Sequence, residues 1–174
     1  MTTFSQFNEP ITFTLSELPE GREGVKHTLA VMSSQVTKYK SYPPLRLLAL
    51  KICSPIIAND KNYISHAQKI YNFVQQKIGY VRDIRGVETV QSPIVTLQLG
   101  AGDCDDKSTL SATLLECVGL PTRFLAMGFL VGRFSHVVTQ VNIRGKWVTL
   151  DCTENRGLGW IPPNIKEVMI HNNR

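Results

Sequence analysis

Cys104 stands where a Gly-rich break gives way to a helical pattern: it follows Gly100-Ala101-Gly102-Asp103 and precedes Asp105-Asp106-Lys107. Asp103 is placed to cap that helix, so the sulfur lies near the positive end of the helix macrodipole, where a thiolate is favoured. The glycines allow close backbone approach, and the first-turn N–H groups, which lack intrahelical partners, are free to donate to a developing oxyanion. His136 follows 32 residues downstream in a β-rich segment, and Asp151 lies 15 residues beyond it. If Asn142 to Lys146 turn an antiparallel hairpin, facing residues have numbers that sum to about 287–289, which sets His136 against Asp151 or its neighbour. A carboxylate beside an imidazole fixes its tautomer, and an imidazolium beside a cysteine lowers the thiol pKa. The chemistry this pattern points to is nucleophilic acyl transfer.

Two further side chains are candidates to stabilise an oxyanion: Gln91, 13 positions before Cys104, and Tyr80. The other cysteines, Cys53, Cys117 and Cys152, are read as buried packing. No C-x-x-C pair is present, which argues against a zinc ribbon or a thioredoxin-like motif. The even count of four would allow two disulfides, but with no secretory leader read at the start of the chain free thiols are expected. A redox role for Cys104 would need Cys152, beside Asp151, as the resolving thiol. Carboxylates at Asp105 and Asp106 are the ordinary choice for a first helical turn.

Stepping outward along the chain, residues 1–20 read as an extended arm, with Ile11, Phe13 and Leu15 alternating against threonines before a turn at Pro19-Glu20-Gly21. A helix from Val25 to about Tyr39 shows one face at Val25, Leu29, Met32 and Val36, and Pro43-Pro44 stops it. A second helix starts at Pro44 and runs to Pro55, and a third carries Ala67, Ile70, Tyr71, Val74 and Ile78. Tyr80 to Gln91 reads as a loop, followed by a short helix from Ser92-Pro93 to Leu99. The helix capped by Asp103 shows an apolar face of Leu110, Leu114, Leu115 and Val118. The period then changes to that of strands at Thr122 to Val131, Ser135 to Ile143 and Lys146 to Asp151, with a hairpin turn at Arg144-Gly145 and a last strand at Glu167 to Ile170. Tyr39 to Pro44 and Asp83 to Val90 are the loops placed to shape substrate entry. The expected architecture is α+β, helices first and then an antiparallel meander, in one domain at 21–174 behind the arm.

Composition sets bounds on what this fold serves. The 174 residues, 43% of them hydrophobic, are enough for one sizeable core and too few for a multidomain assembly. The net charge of +5 comes from scattered lysines and arginines without a basic stripe or interleaved aromatics, so a nucleic-acid partner is not expected. No apolar run reaches the roughly 18–20 residues needed to span a bilayer, and Met1 to Pro10 does not read as a secretory leader. No membrane partner and a cytoplasmic location are the resulting expectations.

Four stretches bear a family likeness: Gly102-Asp103-Cys104-Asp105-Asp106-Lys107-Ser108, Gly119-Leu120-Pro121-Thr122-Arg123, Ser135-His136-Val137-Val138 and Lys146-Trp147-Val148-Thr149-Leu150-Asp151. Together they resemble the core of the transglutaminase-like superfamily over residues 60–155. The resemblance implies a papain-like fold with N-terminal helices packed on an antiparallel sheet. It also implies Cys104 as nucleophile, His136 as general base and Asp151 as the acid that orients it. The implied activity is that of a cysteine protease or amidase acting on peptide or side-chain amides. Residue patterns alone suggest no cofactor, while similarity to bacterial proteases with a Gly-Asp-Cys-Glu-Asp motif implies calcium beside the cysteine, at Asp103 and Asp105. Compact size and the preceding arm look like bacterial phage or prophage members. The alternative function is then a non-catalytic structural or assembly protein, virion-associated, whose partners are phage structural proteins rather than a protein or peptide substrate.

Overall fold

The computed structural model describes residue 7 and residues 21–54, 62–82 and 89–173. The arm read at 1–20 lies outside the described residues except for Phe7, which is buried in the main core, and the Asp83 to Val90 loop lies mostly outside them. Five helices precede the main sheet: α1 (Gly21–Tyr39), α2 (Pro43–Cys53), α3 (Tyr63–Lys77), α4 (Pro93–Leu99) and α5 (Cys104–Cys117). Local chemistry explains their starts. Pro43 and Pro44 occupy the first turn of α2, where a missing N–H costs nothing. The Asn62 carboxamide accepts from the Ser65 amide at α3, and the Ser92 hydroxyl accepts from the Val95 amide at α4. Gly100 ends α4 in the left-handed conformation at φ 64°.

Two short strands were not legible. β1 (Gly79–Tyr80) and β2 (Ala101–Gly102) pair in parallel, Gly79 with Ala101 and Tyr80 with Gly102. The segment read as a loop from Tyr80 therefore begins as the partner of the Gly-rich turn. The main sheet is antiparallel, with β3 (Thr122–Leu130), β4 (Arg133–Ile143), β5 (Lys146–Leu150) and β6 (Glu167–Asn172) in the order β5-β4-β3-β6. The meander holds through β5. The last strand then returns to the far edge beside β3, because Met169 and the β3 residues Phe124 and Ala126 share one apolar cluster with α1. At the β4–β5 hairpin, Arg144 and Gly145 both have positive φ, 53° and 86°, as a two-residue turn requires.

α5 is the axis of the fold. It packs against α1, α2, α3 and α4 on one side and against β4 on the other. Sequence periodicity gave it one apolar face and, by implication, one wet face, yet 12 of its 14 residues are buried, among them Asp105, Asp106, Lys107, Ser108, Thr109, Ser111 and Thr113. The polar face is a seam against β4. The Ser108 hydroxyl donates to the Val137 carbonyl at 3.1 Å, the Thr139 hydroxyl donates to the Ser108 carbonyl at 2.8 Å, and the Ser111 and Thr139 hydroxyls meet at 2.9 Å. The Ser108, Ser111 and Thr139 hydroxyls are tolerated in this seam because each is paired, whereas the buried Thr109 hydroxyl on the same helix has no partner.

Thr139→Val removes the donor to Ser108 and the partner of Ser111, and should lower stability by about 1–3 kcal/mol in urea unfolding. Adding Ser111→Ala, so that both partners become apolar, should cost clearly less than the two single losses together.

Candidate active site

The N-terminus of α5 is built by a reciprocal cap. Asp103 Oδ1 accepts from the amides of Asp105 (2.9 Å) and Asp106 (3.1 Å), while Asp106 Oδ2 accepts from the Asp103 amide at 3.3 Å. The other Asp106 oxygen accepts from the Gln91 amide at 2.8 Å, which ties the chain before α4 to the same turn. Gly102 is required here: a Cβ at that position would stand 2.6 Å from the Asp106 Cβ. The cap corrects one expectation. It consumes the amides of Asp105 and Asp106, so only the Cys104 amide remains as a first-turn donor for an oxyanion.

Cys104 itself is partly buried at the edge of the cluster containing Leu29, Met32, Ala112 and Phe124. Its thiol donates to Asp105 Oδ1 at 3.4 Å and meets the backbone amide of Val137, the residue after His136. A second expectation fails at this point. Burial pushes the Cys104 thiol well above its ordinary value, and the Asp105 and Asp103 carboxylates push it further, while the Val137 amide opposes them. Desolvation and two neighbouring anions thus work against the thiolate that the helix N-terminus favours.

His136 on β4 and Asp151 just past β5 meet directly, Nε2 to Oδ2 at 2.8 Å. The contact assigns the proton to Nε2, because an ionised carboxylate can only accept, and leaves Nδ1 as the basic nitrogen. Partner numbers in the hairpin sum to 289, as Thr139 opposite Leu150 shows, so Asp151 reaches His136 diagonally from beyond the strand end. Thr153, which the sequence reading passed over, holds the other oxygen: its amide and hydroxyl donate to Asp151 Oδ1 at 3.1 and 2.6 Å. Only the local spacing Asp-x-Thr, a common side-chain turn, could have signalled it. Burial raises the Asp151 carboxyl, but the bonds from His136 and Thr153 more than offset it and hold the group below its ordinary range.

The remaining candidates are near the cysteine in different degrees. Tyr80 is 48% exposed on β1, paired with Gly102. Burial raises its hydroxyl, a hydrogen bond with Arg82 opposes this, and the Asp103 carboxylate raises it further. Gln91 is buried, and its Oε1 has no hydrogen-bond partner. Asp103, Cys104 and Asp105 bring one ligand atom each within 4.8 Å of one another. By themselves these side chains supply fewer than the six to eight oxygens that calcium takes, and one Asp103 oxygen carries the helix cap. Cys152 is buried against Lys107 and Ser111, and burial pushes its thiol up to about 12, a poor resolving group. All four cysteines are free thiols.

A cavity of about 620 Å³ lies at the opposite end of α5, lined by Lys40, Arg46, His66, Glu116 and Cys117 among others, and in it Lys40 pairs with Glu116 at 3.4 Å. Among the described helices, none is long and apolar enough to cross a membrane.

Comparison with known proteins agrees with this geometry. The sequence pattern of the transglutaminase-like superfamily matches residues 51–152, more than half of the chain and a stretch within which Cys104, His136 and Asp151 lie. The chain belongs to the transglutaminase-like superfamily. No curated protein matches it. Among solved structures, this transglutaminase-like chain is similar to a candidate protease from Parabacteroides distasonis, with TM-score 0.58, 14% identity, and coverage of 82% of this chain and 36% of that one. A candidate cysteine protease from Cytophaga hutchinsonii gives TM-score 0.51 and 21% identity over 78% of this chain and 48% of the other. LapG of Legionella pneumophila gives TM-score 0.56 and 20% identity over 91% and 87%. At these identities the likeness is one of fold, and the chain spans less than half the length of the first two.

The Asp151 bonds have a pH signature. Its folded pKa is depressed, so its contribution to stability is full above the unfolded value of about 3.9 and is lost as pH falls through the folded one. Thermal unfolding should show an acid limb below about pH 4, and Asp151→Asn should flatten that limb while leaving the neutral-pH profile parallel to wild type.

Proposed function

We propose that this transglutaminase-like protein is a cysteine-dependent amide hydrolase acting on proteins or peptides, with Cys104, His136 and Asp151 as nucleophile, base and orienting acid. The observation that carries this reading is the 2.8 Å bond from His136 Nε2 to an Asp151 held in turn by Thr153, next to a thiol seated against the adjoining Val137 amide.

The raised thiol pKa bears on how the reaction begins. The proton on Sγ passes to His136 Nδ1 as sulfur attacks the substrate carbonyl carbon, so the thiolate need not exist beforehand. The Cys104 amide, with the Gln91 carboxamide or the Tyr80 hydroxyl, donates to the developing oxyanion. His136 then returns the proton to the leaving amine, and the C–N bond breaks to give a thioester. Water, deprotonated by the same imidazole, attacks the thioester; the C–S bond breaks and the proton returns to sulfur. An amine in place of that water would make the reaction a transamidation.

The raised thiol favours a second reading, in which the fold is a non-catalytic part of an assembly such as a phage particle.

The two separate on a peptide library digested from a proteome, with new termini read by mass spectrometry. Hydrolysis predicts cleavages by wild type that vanish in Cys104→Ala and fall by about 10²-fold or more in His136→Ala. Identical termini from wild type and Cys104→Ala would sink the enzyme reading and leave the structural one.

A further inference from the structure

The order β5-β4-β3-β6 leaves one side of β6 without a neighbouring strand among the described residues. Just past its end the Asn173 amide donates to the Thr122 carbonyl at 3.3 Å, across to β3. In an antiparallel ladder a residue's N–H and C=O point to the same side and alternate residues point oppositely. Glu167, Met169 and His171 are therefore turned to β3, and Val168, Ile170 and Asn172 present their backbone groups to the open side. The row ends at Lys166, whose amide reaches the Gly128 carbonyl at 2.8 Å.

Open edges are ordinarily blunted by lysine, proline or an outward charge. Glu167–Asn172 contains no lysine or proline, and its one carboxylate, on Glu167, is held by Arg22 of α1 at 3.0 Å and by the Gly132 amide. On the opposite face Val168 and Ile170 stand across from Met127 and Leu125, which are buried, yet are themselves 50% and 48% exposed. The apolar row of that face thus runs uncovered to the edge.

The strand is complementary to itself. A two-fold axis through Met169 sets Val168 of each copy opposite Ile170 of the other, so that outward backbone groups meet outward ones and apolar side chains meet on one face. On the other face it sets Glu167 opposite His171, a carboxylate beside an imidazole. An axis through Val168 would instead oppose Ile170 to Lys166, whose amide is already engaged with β3, and one through Ile170 would oppose Val168 to Asn172. The far edge of the sheet cannot repeat the contact freely, because the Gly159 amide donates to the Thr149 carbonyl of β5 at 2.8 Å.

We propose that β6 is a dimerisation edge: two copies of the chain pair their β6 strands antiparallel about Met169, joining two four-stranded sheets into one.

One strand pair is a small contact, so the dimer should be weak, with a dissociation constant on the order of 10–100 μM. Sedimentation velocity of the full chain from about 1 to 500 μM should show a monomer passing to a dimer and no larger species. Ile170→Lys, at an exposed position, should raise the dissociation constant by about 10-fold or more. A wild type that stays monomeric throughout overturns the proposal and leaves the edge to another protein's strand; so does a dimer that Ile170→Lys does not weaken, or assembly beyond two. Register has its own test. The two Met169 residues form a non-hydrogen-bonded pair with Cα atoms about 4.5 Å apart, within disulfide reach. Met169→Cys should therefore cross-link under mild oxidation, with the bridge mapped to position 169 in both chains by mass spectrometry, and its absence overturns the pairing even if Ile170→Lys fails to fold. Neither readout depends on turnover.

Discussion

The structure depends on burying a polar helix. α5 carries aspartates, serines, threonines and a lysine into the centre of the molecule, where water cannot satisfy them, and each demands a partner of defined geometry. Those demands fix the neighbours. Ser108 and Ser111 set the distance and register of β4, Asp106 holds the chain ahead of α4, and Lys107 reaches the end of α3. An apolar helix could slide or rotate against its surroundings at modest cost; this one cannot. The thiol at its first position inherits that rigidity.

Electrostatics at the site run against the simplest picture of an activated cysteine. A helix N-terminus favours a thiolate, but its field is weak beside two carboxylates and the loss of hydration. Burial raises the thiol pKa most, and the same aspartates that make the helix start possible, Asp103 as cap and Asp105 as acceptor for the thiol, raise it further. Structure and reactivity therefore compete for the same residues. What the site does fix is the imidazole: His136 is held by a carboxylate that Thr153 binds from the other side. Proton transfer coupled to attack is the chemistry that such a site can begin from neutrality.

Much of the secondary structure follows from the chain alone. Pro43-Pro44, Ser92-Pro93, Gly100 and Arg144-Gly145 act through their own backbone preferences, and the helices and hairpin they bound are where local rules put them. The meeting of His136 and Asp151 was legible too, because a tight hairpin converts sequence spacing into register. The order Cys104, His136, Asp151 in a Gly-Asp-Cys setting is likewise enough to recognise the family.

Tertiary structure decided what depends on residues far apart. The placement of β6 beside β3, the parallel pairing of Gly79–Tyr80 with Ala101–Gly102, and the burial of the polar face of α5 have no local signal, since each is set by which surfaces remain uncovered once the other elements pack. The protonation of Cys104 belongs to the same class. Sequence shows that the sulfur opens a helix; only the folded molecule shows that it is partly withdrawn from water beside two carboxylates, which together raise its pKa.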